Sequence, residues 1–195
     1  MTRILVLFYS TYGHNQTVAE RAVKAMESAG AEVRLRRIPE TAPQEVIDGQ
    51  EGWKAQQERA SSIDAVSHDD ITWADGLWLS APVRFGGQSS QVRAWIDTLG
   101  PLWQQGKLLN KTVTATTSAQ NPNGGVEQTL MNFYHAAMHW GAIPVVPAYG
   151  DGAKFSDGGN PYGFSHAAGE LTDEKTASID YQARRLVEVT AKLAG

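Results

Sequence analysis

The chain has 195 residues, no cysteine, and 17 Lys and Arg residues against 21 Asp and Glu, which gives a formal net charge of −4. This length favours one domain, spanning residues 1–195, with a core large enough to need no staple. The missing cysteine excludes disulfide scaffolds, thiolate zinc sites, cysteine-ligated iron–sulfur clusters and thiol nucleophiles. The weak negative charge argues against electrostatic attraction to nucleic acid or to an anionic membrane.

The apolar runs in the sequence are short. The first covers residues 4–9, below the roughly 7–15 apolar residues of a signal-peptide core and far below the 18 or so that span a bilayer. We therefore expect a cytoplasmic protein with no membrane insertion.

The first 75 residues predict a strand, a helix, a second strand and a polar segment. Residues 4–9 form a continuous apolar run, which is typical of a central parallel strand. Apolar residues at helical spacing follow, and Gly30 is placed to end that helix. Residues 31–37 alternate apolar and charged side chains, as a half-buried edge strand does. Residues 39–75 are expected to form a loop with one or two short helical turns.

The middle of the chain predicts two more strands and a helix. Residues 76–81 are apolar and predict the third strand, which Pro82 is expected to end. Apolar residues at helical spacing between residues 92 and 99 predict a helix closed by Gly100 and the proline after it. Residues 111–118 are rich in β-branched side chains and predict the fourth strand.

The last third predicts a helix, a fifth strand, a long loop and a closing helix. Residues 126–137 have helical spacing and are followed by a cap at Gly141. Residues 143–147 predict a strand whose two prolines confine it to a sheet edge. Residues 148–172 hold six glycines and no helical period, which predicts a loop too long to be structural padding. Residues 179–193 have helical spacing again.

Five strands alternating with helices predict an α/β fold, a doubly wound parallel sheet with helices on both faces. The edge signals fall on the second and fifth strands, which favours the strand order 2-1-3-4-5. In the order 3-2-1-4-5-6 the second strand would be interior, so its alternating charge argues against that sheet. In the favoured order, ligands bind outside the carboxyl ends of the strands, near the first and third.

The segment after the first strand has the composition of an anion site. Residues 10–17 are rich in hydroxyl and amide groups and open a helix, where free N–H groups and the helix dipole favour negative charge. A phosphate monoester would be bound by those N–H groups and by the hydroxyls of Ser10 and Thr17. The alternative is a plain helix cap by Ser10 or Asn15. Neither the dinucleotide-binding fingerprint nor the P-loop motif is present.

Two further loops are predicted at the same edge of the sheet. Residues 82–87 combine an arginine, an aromatic ring and paired glycines, and residues 117–125 are rich in amides and glycines. Glycine lets the backbone approach a ligand closely. Three such loops at one edge favour a flat, partly polar, phosphate-bearing cofactor.

Six motifs in this order resemble one flavoprotein family over essentially the whole chain: S-T-Y-G-H-N, P-V-R-F-G, G-P-L-W, G-G-V-E-Q-T, H-W-G and N-P-Y-G. The chain is similar to the type IV NAD(P)H:quinone oxidoreductases, the flavodoxin-like proteins related to the tryptophan-repressor-binding protein. The resemblance implies a flavodoxin-like fold, an FMN cofactor, and two-electron reduction of quinones by NADH or NADPH. It also implies a homotetramer built as a dimer of dimers.

The resemblance also assigns site residues. It places the FMN phosphate at Ser10, Thr11, Tyr12, Gly13, His14 and Asn15, with Tyr12 also near the nicotinamide nucleotide. It places the flavin ring between Pro82, Val83, Arg84 and Phe85 on one edge and Thr117, Ser118, Ala119, Gln120 and Asn121 on the other. The implied catalytic residues are Trp103, His139 and Tyr149, and the latter two approach the flavin across a subunit interface.

Two features complete the implied site. We expect Phe85, Trp103 and Tyr149 to form an aromatic slot for substrate. The loop after the fourth strand departs from the family, because S-A-Q-N-P-N-G-G stands where the usual run is S-T-G-T-G-G-G. The departure affects the contacts expected of residues 120–123.

The residues also leave alternatives open. A flavodoxin that passes single electrons to protein partners is the second hypothesis, although a charge of −4 offers little of the acidic steering such carriers use. A non-catalytic interaction protein is the third. His135 and His139 stand four apart, but Ala136 replaces the glutamate of the H-E-x-x-H zinc motif, which argues against a metal.

Single side chains away from the loops are also assigned by pattern. Trp78 and Trp95 fall on apolar faces and are expected in the core. His68 and His166 are expected at the surface. For His14, contact with a phosphate and exposure to solvent remain equally open.

Overall fold

The structure is a computed structural model that describes residues 1–167 and 169–194. Its strands are β1 (Arg3–Phe8), β2 (Glu32–Arg37), β3 (Gly76–Arg84), β4 (Gly87–Gln88), β5 (Thr112–Ala119), β6 (Ile143–Pro144) and β7 (Ser165–Ala167). Its helices are α1 (His14–Ser28), α2 (Gln44–Asp48), α3 (Glu51–Ala60), α4 (His68–Trp73), α5 (Ser90–Asp97), α6 (Gly100–Gln104), α7 (Val126–His139), α8 (Ala153–Ser156) and α9 (Asp173–Ala194). Among the helices of these ranges, none combines the length and apolarity needed to cross a membrane.

The central sheet is parallel and has the order β2-β1-β3-β5-β6. This confirms the predicted order, because β5 is the fourth predicted strand and β6 begins the fifth. The short strand β4 pairs antiparallel with the end of β3. Strand β2 lies at one edge, as its alternating charges predict. Strand β6 lies at the other edge, as its proline predicts.

Helices cover both faces of the sheet, and alternate residues of the central strands point to each. In β1, Leu5 and Leu7 join a core cluster with α5 and α7, whereas Val6 and Phe8 join a second cluster with α1 and α9. A strand buried on both faces favours apolar side chains on both, which explains the continuous apolar run of β1. Trp78 and Trp95 are buried, as expected.

Strand β3 is longer than predicted, because it continues through Pro82 to Arg84. Proline removes only a backbone donor and still fits an extended strand. The chain then turns at Phe85 and Gly86, which have φ values of 49° and 78°. It returns as β4, which pairs with the last two residues of β3. This short hairpin projects from the carboxyl edge of the sheet.

The fifth strand is divided into two parts that both pair with β5. Strand β6 pairs with Thr112 and Val113, and β7 pairs with the segment from Thr117 to Ala119. The predicted strand over residues 143–147 is therefore too long, and the predicted loop over residues 148–172 contains α8 and β7. Their apolar residues are too few and too scattered to reveal either element by periodicity.

The polar segment over residues 39–75 contains three helices, which is more structure than predicted. The third of these helices, α4, begins with a capping box. The Ser67 hydroxyl accepts a hydrogen bond from the Asp70 N–H, and the Asp70 carboxylate accepts one from the Ser67 N–H. Asp70 also forms ion pairs with Arg34 and Arg36 of β2. Downstream, Gly100 does not simply close the helix before it, because it opens α6.

Candidate functional site

The loop that follows β1, the start of α1 and the carboxyl ends of β3 and β5 meet around a cavity of about 200 Å³ at the carboxyl edge of the sheet. The cavity is lined by Ser10, Thr11, Tyr12, His14, Asn15, Pro82, Val83, Arg84, Ser118, Ala119 and Gln120. All eleven belong to the set that the sequence assigns to cofactor binding. The strand order brings these segments together, because β1, β3 and β5 are neighbours in the sheet.

The N-terminus of α1 opens at this cavity without a side-chain cap. Its N-cap residue is Gly13, in the left-handed region at a φ of 93°, and no side chain of the described residues accepts a hydrogen bond there as a cap. Ser10 Oγ accepts from the Gly13 N–H at 3.0 Å. Capping by Ser10 or Asn15 is therefore not what the structure contains. The first N–H groups of a helix have no intrahelical acceptor, so this end of α1 is suited to an anion.

Buried polar side chains join the first and third of these loops. Asn15 Nδ2 donates to Ser118 Oγ at 2.9 Å, and Ser80 Oγ donates to the Asn15 carbonyl at 3.2 Å. Each of the three residues is almost fully buried. Because these bonds connect the start of α1 to β3 and β5, they hold the helix N-terminus in place at the sheet edge.

The β3–β4 turn places a cation and an aromatic ring at the cavity mouth. Arg84 Nη2 donates to Thr11 Oγ1 at 2.6 Å and Nη1 donates to the Val83 carbonyl at 2.9 Å. Phe85 follows with its side chain fully exposed. The turn therefore fixes the guanidinium against the first loop and leaves the ring free.

Glycines let the β5–α7 loop approach the β3–β4 turn closely. A Cβ atom at Gly125 would lie 2.7 Å from Gly86 Cα, and one at Gly124 would lie 2.9 Å from Ala119 Cβ. Gln120 lines the cavity, whereas Asn121 is exposed and does not. The β5–α7 loop is rich in amide side chains, but Gly125 still lets it lie close to Gly86 of the β3–β4 turn.

The three predicted catalytic residues lie outside this cavity within one chain. Trp103 lies on α6, and its ring centroid is 6.3 Å from that of His139. His139 lines a separate hollow of about 590 Å³ against β4, α5 and α7. The Tyr149 hydroxyl donates to the Gly159 carbonyl at 2.8 Å, and its ring stacks on Phe155.

Four further residues named in the sequence analysis do not line the cavity. Thr117 is buried and its hydroxyl donates to the Ala81 carbonyl at 2.7 Å, so it strengthens the sheet. His68 is exposed, as expected. Asn121 and Phe85 are exposed, and each directly follows in the chain a residue that lines the cavity.

His166 is a correction to the sequence analysis, because its side chain is buried and only 6% exposed. It lies on β7, stacked on Phe164 and in edge contact with His14, whose backbone begins α1. Burial, followed by the charges of Lys175 and His14, lowers its pKa to about 4. At neutral pH it is therefore an uncharged ring beneath the helix N-terminus. Short strands in glycine-rich segments give no sequence signal of this burial.

Glu40 is a second residue that sequence analysis missed. It follows β2, whose carboxyl end lies at the same edge of the sheet, and its carboxylate accepts hydrogen bonds from Tyr9, directly after β1, and from side chains of α3 and α5. The feature of the sequence that could have indicated a role for Glu40 is its position shortly after the second predicted strand.

The fold and the cavity together define a flavodoxin-like α/β protein in which an uncapped helix N-terminus opens on a cavity at the point where the sheet order reverses. Residues 2–153 match the family described as NADPH-dependent FMN reductase, and the chain belongs to this family.

Its relatives are similar over their whole lengths. The chain is 51% identical over 195 residues to an NAD(P)H dehydrogenase (quinone) from Deinococcus radiodurans, covering 99% of this chain and 98% of that protein. It is 34% identical over 201 residues to an NAD(P)H dehydrogenase (quinone) from Geotalea daltonii, covering 98% of each.

Solved structures support the fold. A flavodoxin described as a WrbA-like protein from Agrobacterium tumefaciens matches with a TM-score of 0.70 at 17% identity, over 99% of both chains. A flavodoxin from the domain Archaea matches with a TM-score of 0.65 at 12% identity, over 97% of this chain and 99% of that one.

Proposed function

We propose that this protein is an FMN-dependent reductase that uses NADH or NADPH to reduce quinones to hydroquinones. The observation that carries the proposal is the uncapped N-terminus of α1, which opens on a cavity between β1 and β3. Membership of a family described as FMN reductases, and full-length similarity to NAD(P)H dehydrogenases (quinone), support it.

The residues at the cavity fit FMN. The backbone from Ser10 to Asn15 would hold the phosphate, whose charge suits the free N–H groups of α1. Residues 82–85 and 117–121 would border the ring on two sides. When bound, FMN supplies the redox chemistry, accepting a hydride from the nicotinamide and delivering two electrons to the quinone. The chain itself contributes binding, orientation and exclusion of water.

The substrate slot of Phe85, Trp103 and Tyr149 is proposed to form only when subunits assemble. Within one chain, Trp103 lies beside His139 and Tyr149 beside Phe155, away from the cavity. All three slot residues expose large apolar side chains, as residues of an interface do. We therefore propose that the chains assemble into a homotetramer, a dimer of dimers. The proposal also includes a single domain over residues 1–195 and a cytoplasmic location.

The test begins with the purified full-length chain. We expect a yellow protein that releases FMN on denaturation and that oxidises NADH or NADPH only when benzoquinone is present. Light scattering is expected to give four chains per particle. Bound FMN without nicotinamide oxidation would contradict the reductase and favour the single-electron carrier.

Trp103→Ala tests the slot. We expect quinone turnover to fall and the KM for benzoquinone to rise about tenfold, since loss of a buried aromatic contact costs of the order of 1–2 kcal/mol. Trp73→Ala is the matched control. Trp73 lies at the end of α4 and packs under Arg34 of β2. It stands just before the amino end of β3, whereas the cavity is at the carboxyl end. Unchanged kinetics in Trp103→Ala would remove Trp103 from the slot.

A further inference from the structure

The carboxylate of Glu40 is surrounded by hydrogen-bond donors. It accepts from the backbone N–H groups of Thr41 (2.8 Å) and Ala42 (2.9 Å), the Tyr9 hydroxyl (2.9 Å), the Trp53 indole (3.0 Å), and the side-chain amides of Gln57 (3.3 Å) and Gln91 (2.6 Å). Two carboxylate oxygens offer about four lone-pair sites, so this group is saturated with donors.

These donors keep Glu40 ionised. Burial is the largest single influence and opposes the charge, but the hydrogen bonds from Ala42, Gln91, Thr41 and Tyr9 together hold the pKa of the carboxyl below its ordinary value. A fixed negative charge therefore lies behind the first loop of the cofactor cavity.

A directed chain of hydroxyl groups connects that charge to the cavity. Tyr9 donates its only hydroxyl proton to Glu40, so the Tyr9 oxygen is left as an acceptor for Thr11 Oγ1 at 3.4 Å. Thr11 donates its hydroxyl proton in that bond, so its oxygen is free to accept a hydrogen bond from Arg84 Nη2 at 2.6 Å. Each hydroxyl has one proton to give, so the anion at one end fixes the direction of every bond up to the cation at the other.

We propose that Glu40 is a positioning residue that orients the Arg84 guanidinium at the FMN site through Tyr9 and Thr11. Arg84 is held on one side by Thr11 and by the Val83 carbonyl, and its remaining N–H groups are left for the ligand in the cavity it lines. An arginine fixed before binding loses less side-chain entropy when the ligand arrives. The inference rests on the proposed function, because it assigns FMN as that ligand.

A purely structural role for Glu40 makes different predictions. The donors Trp53 and Gln57 lie on α3 and Gln91 lies on α5, so the carboxylate also joins these helices to the sheet. Tyr9→Phe removes only the link towards Arg84 and keeps the carboxylate with its other donors. Gln57→Leu is the matched control, because it removes one donor on the structural side and leaves the chain to Arg84 intact.

The experiment measures the Kd of FMN by quenching of flavin fluorescence on the full-length chain after removal of its flavin. We expect Tyr9→Phe and Glu40→Gln each to raise the Kd about tenfold, and Gln57→Leu to leave it unchanged. In Arg84→Met, adding Tyr9→Phe is expected to have no further effect, since the group that the chain orients is gone. The melting temperature of each flavin-free variant is recorded alongside, which identifies any variant that fails to fold.

The outcomes separate this inference from the function on which it rests. If the wild-type chain does not bind FMN, the proposed function fails. If it binds FMN and Tyr9→Phe binds equally well, the positioning role is overturned while the function stands. Equal weakening by Tyr9→Phe and Gln57→Leu, or full additivity of Tyr9→Phe with Arg84→Met, would also overturn it in favour of simple bracing.

Discussion

At the scale of single residues, the closest approach in the candidate site is made between two glycines. Gly125 has a φ of 89°, and a Cβ there would meet the backbone of Gly86 at 2.7 Å. Gly30 has nearly the same conformation, with a φ of 84°, but nothing lies within 4 Å of its Cβ position. The two positions therefore share the conformational strain of a substitution and differ in the steric contact.

We expect Gly30→Ala to lower the free energy of unfolding by about 1 kcal/mol, the cost of the left-handed conformation alone. Gly125→Ala is expected to cost about 3 kcal/mol, because the β3–β4 turn must also move. It is further expected to weaken FMN binding, which Gly30→Ala leaves unchanged. Urea unfolding and FMN titration of both variants measure this. Equal losses of stability would contradict the close packing of the two loops.

The sequence predicted the site residues that lie at or just beyond the carboxyl ends of strands, because the carboxyl ends of parallel strands meet at one edge of the sheet. Eleven of them line the cavity. It did not reach Glu40, whose partners Tyr9 and Gln91 are 31 and 51 residues away in the chain. Nor did it reach the burial of His166, which depends on the placement of β7. Contacts between distant segments leave no local pattern.

At the scale of elements, the buried ion pair of Lys154 and Asp157 at α8, which Ser178 links to α9, is a feature that no pattern in the sequence indicates. Lys154 is fully buried, and its ammonium bonds the carboxylate of Asp157 and the hydroxyl of Ser178 on α9. Ser178 also donates to Asp157. The three side chains satisfy one another and join the segment between the halves of the fifth strand to the closing helix.

We expect Lys154→Met to lower the free energy of unfolding by about 3–5 kcal/mol, because it leaves the Asp157 carboxylate buried without its cation. Adding Asp157→Asn is expected to restore part of the loss, since the uncompensated charge is removed. Urea unfolding of the single and double variants measures both effects. A double variant no more stable than Lys154→Met would show that the charge is not the cause.

Helices and strands could be predicted from the sequence where their apolar residues follow one regular pattern. The helices α1, α7 and α9 were predicted because apolar residues repeat along each at helical spacing, and β1 because its apolar run is continuous. The helices α2 and α3 were predicted only as one or two short turns in a loop, because they are polar and short, and their few inward residues, such as Ile47 and Ala60, do not establish a period. Part of their stability comes from contacts with distant segments, such as the hydrogen bond from Gln56 Nε2 on α3 to Gln16 Oε1 on α1, and only the fold provides these contacts.

At the scale of the whole molecule, the buried imidazole of His166 links global stability to pH. Its pKa in the folded chain is about 4, against an ordinary value of 6.5. Between these two values the unfolded chain binds a proton that the folded chain does not. The free energy of unfolding therefore falls as the pH drops from about 6.5 towards 4, and it is recovered as the pH rises.

We expect this one group to remove on the order of 3 kcal/mol of stability across that interval. His166→Asn is expected to flatten the dependence, whereas His68→Asn, at an exposed position, is expected to keep it. The measurement is urea unfolding of the flavin-free chain at a series of pH values between 7 and 4.5 (about half a unit apart). An equally steep decline in His166→Asn would exclude His166 as its source.

The divided fifth strand has a consequence for how this chain tolerates changes in length. Because β6 and β7 are aligned on β5 independently, at Thr112 and at Thr117 respectively, neither alignment depends on the number of residues between them. Lengthening a flexible connection adds little entropy cost, about 0.6 kcal/mol for each doubling. Insertions at the exposed Gly158 are thus expected to leave the sheet and the cavity intact, which makes this segment the natural place for an evolutionary or engineered addition.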